Sequence, residues 1–565
     1  MTRLQNRGFS TLALAWAACL VLYVATATVS SAQSTLTTLV TFDGRNGAIP
    51  LAVLTQGVDG NLYGTTYGGC SSTCGTVFKM TPAGALKTLY TFCSQASCTD
   101  GSMPLGSLVQ SVDGFFYGVT EFGGAHNSGT IFKINTSGKL TTIYSFCSLA
   151  NCTDGELPGG GLVRATNGNF YGTTWSGGAN DAGTVYRITP TGNLTTIYNF
   201  CSLADCTDGY NPLSPLVQAT NGNFYGETAE GSGISFGTIF EISPNGKLTT
   251  LFTFHGTNGS APVGGLIQAP NGNFYGTTSL GGVNDGGTVF EITPLGKLTS
   301  LYNFCDPKIS CMDGAEPNGP LVRATDGDLY GTTYGNQQGN FISDGTVFQI
   351  TPTGILTTLY SFCALPNCAD GISPQAGLMQ ATNGIFYGTT SGANFTDGTI
   401  FSLSTDLEPF VRIEPAFAKE GATVGIFGQG FSSSSVVQFG GVQSTKTRLY
   451  GTTFITAKVP VGALTGSLTV TTDGAKLTSN QPFRVKPQVV SFDPLSGSVG
   501  AQVTITGTGF TQTNGVGFGD NIPAEFTVNS DTQVTAIVPA GAKTGPVGVV
   551  TKGGTAISSS TFTVN

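Results

Sequence analysis

The chain has 565 residues, of which 82 are Gly and 26 Pro, with only 10% charged residues and a net charge of −9. So little charge with a positive mean hydropathy of +0.12 excludes a disordered chain, and Gly without a three-residue period excludes collagen. An acidic chain with no basic run is a poor partner for nucleic acid, and two His residues leave little room for a His-based metal site or triad.

Residues 1–32 read as an address. Arg3 and Arg7 precede an apolar stretch from Phe9 to Val29, and Ser30-Ser31-Ala32 suits cleavage after Ala32. An uncleaved anchor and a lipoprotein-type use of Cys19 are the alternatives. No later stretch is apolar for long enough to span a membrane.

From there self-similarity dominates. A Tyr-Gly pair recurs with its Tyr at 63, 117, 171, 225, 275, 330 and 387. One full unit reads 161–165, 169–174, 183–190 and 194–200. These are four short runs rich in β-branched and aromatic residues, separated by Asn-Gly and Pro-x-Gly turns. Such a unit is an antiparallel meander of strands a, b, c and d. The seventh unit lacks strand d, and Leu36–Phe42 forms a spare one that would pair with 398–404 and close the set. Closure removes two exposed sheet edges. The pattern therefore predicts an all-β protein: a seven-bladed β-propeller over 33–405.

The insertions fall on one side. From the polar residue of strand a (Gln56, Gln110, Arg164, Gln218, Gln268, Arg323, Gln380) to the Tyr of strand b is seven residues in every unit. The c–d span is equally constant, so all length variation lies in the b–c and d–a loops, which leave a meander at the same end. That face is the expected working face. The strand-a polar series is expected either to line a central channel or to bond internally.

Twelve Cys follow residue 32 as near neighbours: Cys70 and Cys74, Cys93 and Cys98, Cys147 and Cys152, Cys201 and Cys206, Cys305 and Cys311, Cys363 and Cys368. The loop after the fourth unit lacks both members, so Cys appear and vanish as pairs. Each pair is expected to form one local disulfide, which requires an oxidising compartment. No zinc site is expected, because the pairs lie in different units.

After a linker near 405–409, two segments repeat at a period of 79: Glu414-Pro415 matches Asp493-Pro494, and Gly428-Gln429-Gly430-Phe431 matches Gly507-Thr508-Gly509-Phe510. Each is long enough for a small sandwich, giving two immunoglobulin-like domains over 410–485 and 487–565.

The run Asp59-Gly60-Asn61-Leu62-Tyr63-Gly64-Thr65-Thr66, followed by Gly75-Thr76-Val77-Phe78-Lys79-Met80-Thr81-Pro82, resembles the Gloeo/Verruco (GloVer) repeat of bacterial exported proteins. The C-terminal segments resemble IPT/TIG domains. The resemblance implies an extracytoplasmic, secreted or cell-surface repeat protein. It carries no catalytic residues to transfer.

No phosphate-cradling loop, His-Glu-x-x-His, Gly-x-Ser-x-Gly or EF-hand motif occurs. Catalytic residues, metal ligands and cofactors are therefore expected to be absent, and the chain is read as a non-enzymatic binding protein for glycan or an extracellular protein. An extracellular glycosidase or lyase with accessory TIG domains is the alternative. Asp100, Asp154, Asp208, Asp313 and Asp370 each follow a Cys pair; Asx-type turns explain them, with calcium or ligand contact as the other reading. His126 and His255 are expected to be merely exposed. Aromatics that break the repeat's symmetry just after strand b are the ligand-binding candidates: Tyr67, Phe122, Trp175 and Tyr334.

Overall fold

A computed structural model describes residues 34–69, 74–111, 113–231, 236–335, 344–392 and 397–565. The leader and Cys70 lie outside these ranges. The described chain is all-β; its helical content is five three-residue 3₁₀ turns. No described helix is long and apolar enough to cross a membrane.

Each repeat unit builds its own antiparallel sheet in the order a, b, c, d. In the third unit these strands are Val163–Arg164, Phe170–Thr174, Thr184–Ile188 and Leu194–Asn199. Strand b is buried at every position and strand d is half-exposed, so the sheet runs from an inner edge to an outer one. The second unit adds Ser102–Pro104 beside its strand b, Phe116–Phe122. In the seventh unit the fourth strand is Thr35–Thr41, running antiparallel to Thr399–Ser404 from Thr35 opposite Ser404 to Thr41 opposite Thr399. The spare N-terminal strand thus pairs where the missing strand d required it.

Why the Tyr-Gly pair recurs is visible in the packing between sheets. Tyr63 stacks on Phe116 of the next unit at 4.0 Å between ring centroids, and Tyr117 on Phe170, Tyr171 on Phe224 and Tyr225 on Phe274 repeat the contact at 4.1–4.3 Å. Each Tyr is a wedge between neighbours, and truncating so large a buried ring costs about 3–5 kcal/mol. The Gly that follows is needed because a strand-c Phe crosses above it: a Cβ on Gly118 would stand 2.6 Å from Phe132 Cζ. Seven apolar clusters result. Six join consecutive units, and the seventh joins Val40, Phe42, Leu62 and Phe78 to Met379, Tyr387 and Ile400.

Polar stitches follow the same route. Gln110 Oε1 accepts the Val58 N–H, Gln218 Oε1 that of Thr166, and Gln268 Oε1 that of Thr220, each at 3.0 Å; Gln56 Oε1 accepts the Thr382 N–H at 3.1 Å. These glutamines bond one unit's strand a to the previous unit's a–b turn, which selects internal bonding over the channel-lining alternative. Where Arg164 takes the same slot, its guanidinium faces Glu414 at 3.9 Å.

The C-terminal segment forms two further cores. One gathers Val424, Ile426, Val437, Ile455, Leu468 and Phe483, and the other Val503, Ile505, Phe518, Val534, Val547 and Phe562. Both matching X-Pro bonds, Glu414–Pro415 and Asp493–Pro494, are cis. The first segment lies on the a–b turn side of the repeats. Thr453 Oγ1 donates to Val58 O at 2.9 Å, Arg412 to Gln56 O at 3.3 Å, and Thr382 Oγ1 to Gly428 O at 3.2 Å. Ala416, Phe417, Pro482 and Arg484 face strand a of the fourth and fifth units across a further cavity.

Candidate ligand-binding mouth

The b–c and d–a connections leave every sheet at the end opposite the docked C-terminal segment. Their base is rigid. In all seven units the Thr two places after the strand-b Gly bonds the Thr that opens strand c, from Thr66–Thr76 to Thr390–Thr399, at 2.8–2.9 Å.

Five d–a loops are stapled by the expected disulfides, Cys93–Cys98, Cys147–Cys152, Cys201–Cys206, Cys305–Cys311 and Cys363–Cys368, with Cα atoms 3.9–4.0 Å apart. The aspartates after them are built into these loops. Asp100 is fully buried; its Oδ2 accepts Tyr90 OH at 2.7 Å, Ser94 N–H at 3.0 Å and Ser94 Oγ–H at 2.8 Å, while Oδ1 accepts Gln95 N–H at 3.3 Å. Asp154 and Asp208 repeat this set, Asp370 lacks only the serine hydroxyl, and Asp313 takes Tyr302 OH and Asp306 N–H. Burial works to raise the Asp154 carboxyl, yet its donors from Tyr144, Ser148 and Leu149 hold it below the usual carboxylate value. In all five the carboxylate accepts its donors from within its own loop. A sequence signal for this existed: strand d carries Tyr only where Asp and the Cys pair follow, and Phe252 and Val40 where they do not.

One slot stands out by its backbone. Seven residues before each strand-a polar residue sit Ile49, Met103, Leu157, Asn211, Ala261, Glu316 and Ser373, all left-handed with φ between 50° and 58°. An L-residue there costs about 1–2 kcal/mol relative to Gly, and for β-branched Ile49 the conformation is a genuine outlier. Other left-handed residues in these loops are cystines, the serines Ser97 and Ser310, and Asn or Asp, of which Asp181 accepts the Gly177 N–H within its own turn. In this slot the backbone is held on both sides, as at Leu157, whose N–H donates to Ser128 O at 3.0 Å and whose O accepts Trp175 N–H at 2.9 Å, and no unit uses Gly. Local strain of this kind collects at functional sites.

Beside it lies the position just past strand b. Tyr67 N–H donates to Ile49 O, Trp175 N–H to Leu157 O and Tyr334 N–H to Glu316 O, each at 2.9 Å. Tyr67, Trp175 and Tyr334 are half-buried at equivalent places. Phe122 is not their equivalent. That position in the second unit is Glu121, and Phe122 comes one residue later, so its side chain points to the other face of the strand. Glu121 instead stands beside the Tyr67 hydroxyl; burial and this carboxylate push the phenol up to about 12. Burial raises both Glu121 and Glu316. His126 and His255 are exposed, as expected.

Inside this rim is a well of about 290 Å³ lined by every one of the seven units. Equivalent residues, five before each strand-a polar residue, form its entrance: Leu51, Leu105, Gly159, Leu213, Val263, Asn318 and Gln375. The next residue along is always small, because neighbouring units touch there; a Cβ on Gly264 would meet Gly319 O of the next unit at 2.9 Å. None of the lining residues is ionisable.

Sequence reasoning passed over the strained slot, the well and Glu227. Glu227 stands where five other units have Thr and the second has Val119, and is buried; its Oε2 accepts Gly265 N–H at 2.9 Å. Burial pushes its carboxyl up to about 8, against the pull of the Gly265 and Ser214 donors. It holds Gly265, which follows the well-lining Gly264, from behind.

A family model described as the Gloeobacter/Verrucomicrobia repeat matches residues 25–165 and 148–311, and one for the IPT/TIG domain matches 487–564. Among solved structures, a fungal alcohol oxidase of the AA5 family in complex with copper is similar at 13% identity and a TM-score of 0.45, over 94% of this chain and 99% of its own. SGBP-B from a xyloglucan utilization locus of Bacteroides uniformis is similar at 22% identity and a TM-score of 0.14, over 26% of this chain and 46% of its own. A surface glycan-binding protein of Prevotella bryantii is similar at 18% identity and a TM-score of 0.21, over 28% of this chain and 39% of its own. No curated protein matches the chain.

Proposed function

The chain belongs to the Gloeobacter/Verrucomicrobia repeat family and carries a C-terminal IPT/TIG domain, and on that premise we propose that it is a secreted or cell-surface protein that binds glycan without turning it over. The binding face is the b–c and d–a side of a seven-bladed propeller. The propeller reading is supported by seven four-stranded units and by a seventh apolar cluster that joins the last unit to the first. Two immunoglobulin-like modules follow it. Five disulfides support export, since such bonds persist in oxidising compartments.

The observation that carries the glycan reading is the asymmetric rim. Half-buried Tyr67, Trp175 and Tyr334 stand beside strained slots whose residue differs in every unit, on a scaffold otherwise close to repeating. Aromatic faces at a pocket mouth suit the C–H faces of sugar rings, and stapled loops lower the ordering cost of binding. A panel of polysaccharides tests it. Saturable binding with no release of reducing ends is expected; release of reducing ends, or no binding to any of the panel, contradicts it.

A further inference from the structure

We infer that the well receives the terminal residues of an uncharged saccharide chain, end-on. This rests on the glycan reading above and narrows it in three respects: how much of the ligand is held, in which direction it enters, and what charge it carries.

Size sets the first. A well of about 290 Å³ is at the lower end of small-molecule sites, which span roughly 300–1,000 Å³. It accommodates a chain end and no long stretch of polymer. Direction follows from what lies behind it. The strand-a ends are tied unit to unit by the glutamine bonds, including Gln56 to Thr382. Beyond them the first C-terminal segment reaches from the first unit at Val58 to the seventh at Thr382 and the third at Arg164. A chain cannot thread through, so only a terminus enters.

The wall chemistry fixes the rest. Leu51, Leu105, Gly159, Leu213 and Val263 of the first five units give an apolar arc, and Asn318 and Gln375 of the last two give an amide arc. An amide both donates and accepts, which is what neighbouring sugar hydroxyls require, while the apolar arc suits the C–H face. Charge is decided by the loops around the well. The b–c and d–a loops contain two Lys or Arg residues, Arg45 and Lys308, and two exposed His, His126 and His255, and none of the four lines the well. Glu121 and Glu316 stand half-buried at the rim. A uronate or sulfate group entering here would shed its hydration without meeting a cation, and so is disfavoured.

The test is calorimetry on the protein with cello-, xylo- and manno-oligosaccharides and with oligogalacturonate. Variants Leu51→Trp and Val263→Trp fill the well from half-buried positions on two different units, and Gln375→Leu removes an amide at nearly constant size. Melting curves confirm that each is folded. At least one uncharged series should bind, with affinity that stops rising beyond two or three residues, and oligogalacturonate should not. Each folded variant should lose about tenfold or more. Folded variants that all bind as wild type overturn the well while leaving the face reading intact. Binding confined to oligogalacturonate overturns the charge assignment alone. Silence from every probe overturns both the inference and the reading beneath it.

Discussion

The two ends of the repeat units are built from the same strands and treated in opposite ways. At the a–b end the turns are of constant length, the strand-a glutamines are consumed in bonds between units, and the first C-terminal segment lies against them. At the b–c and d–a end the loops vary in length, five are stapled, and seven L-residues are held in a left-handed conformation. One end spends its polar groups on assembly. The other keeps side chains in strained places around an open well. On the proposed function, stability and recognition are assigned to opposite ends of one meander.

The contrast is sharpest where the assembly end can be broken. Removing Thr35–Thr41 leaves the strand-c edge of the seventh sheet unpaired and strips Val40 from the cluster that joins it to the first. Aggregation, or a fall in melting temperature on the order of 10 °C, is expected in scanning calorimetry. An equally stable monomer would show that this pairing contributes little.

Glu227 gives the next largest effect. Its folded value is raised to about 8 against an ordinary 4.5, so its favourable, protonated burial is fully present below pH 4.5 and lost as pH climbs from there to 8. Glu227→Gln should therefore be the more stable protein at pH 9, by on the order of a few kcal/mol, with the advantage fading toward pH 4.5. Denaturant melts at both pH values measure it. A gain that is constant with pH would refute the titration.

Each disulfide closes a very short loop, so Cys93→Ser with Cys98→Ser should cost about 2 kcal/mol of stability. Trp175→Ala should weaken glycan binding by about 2 kcal/mol, roughly thirtyfold, with little change in melting. At the opposite end, Asn169→Ala in an a–b turn should change stability by less than about 0.5 kcal/mol and leave binding untouched. If Asn169→Ala weakened binding as much as Trp175→Ala, the division between the two ends would fall.

Most of the architecture was legible because the unit repeats: period-two runs, Asn-Gly turns and a spare strand at Leu36–Phe42 specify the pairing without any long-range information. The disulfides were legible from Cys that come and go in pairs. The Asp series is readable as turns, and the Tyr of strand d occurs in the same units. What sequence could not show is backbone conformation. Ile49 or Met103 in a left-handed turn leaves no composition signal, since Gly is the residue that normally announces one. The well was equally hidden, because its wall is assembled from seven residues that lie about fifty positions apart. Phe122 was misjudged by one place, enough on a strand to turn a side chain to the other face.

The most direct measurement uses the protein from Ser34 onward, in which Trp175 is the one indole, since the full chain has only two. Its emission is followed while the uncharged oligosaccharide that binds best is added. A saturable change in intensity or wavelength, with a midpoint equal to the calorimetric dissociation constant, is the predicted result. Saturable heat with no change in Trp175 emission would place the ligand elsewhere and contradict the assignment of the b–c and d–a face.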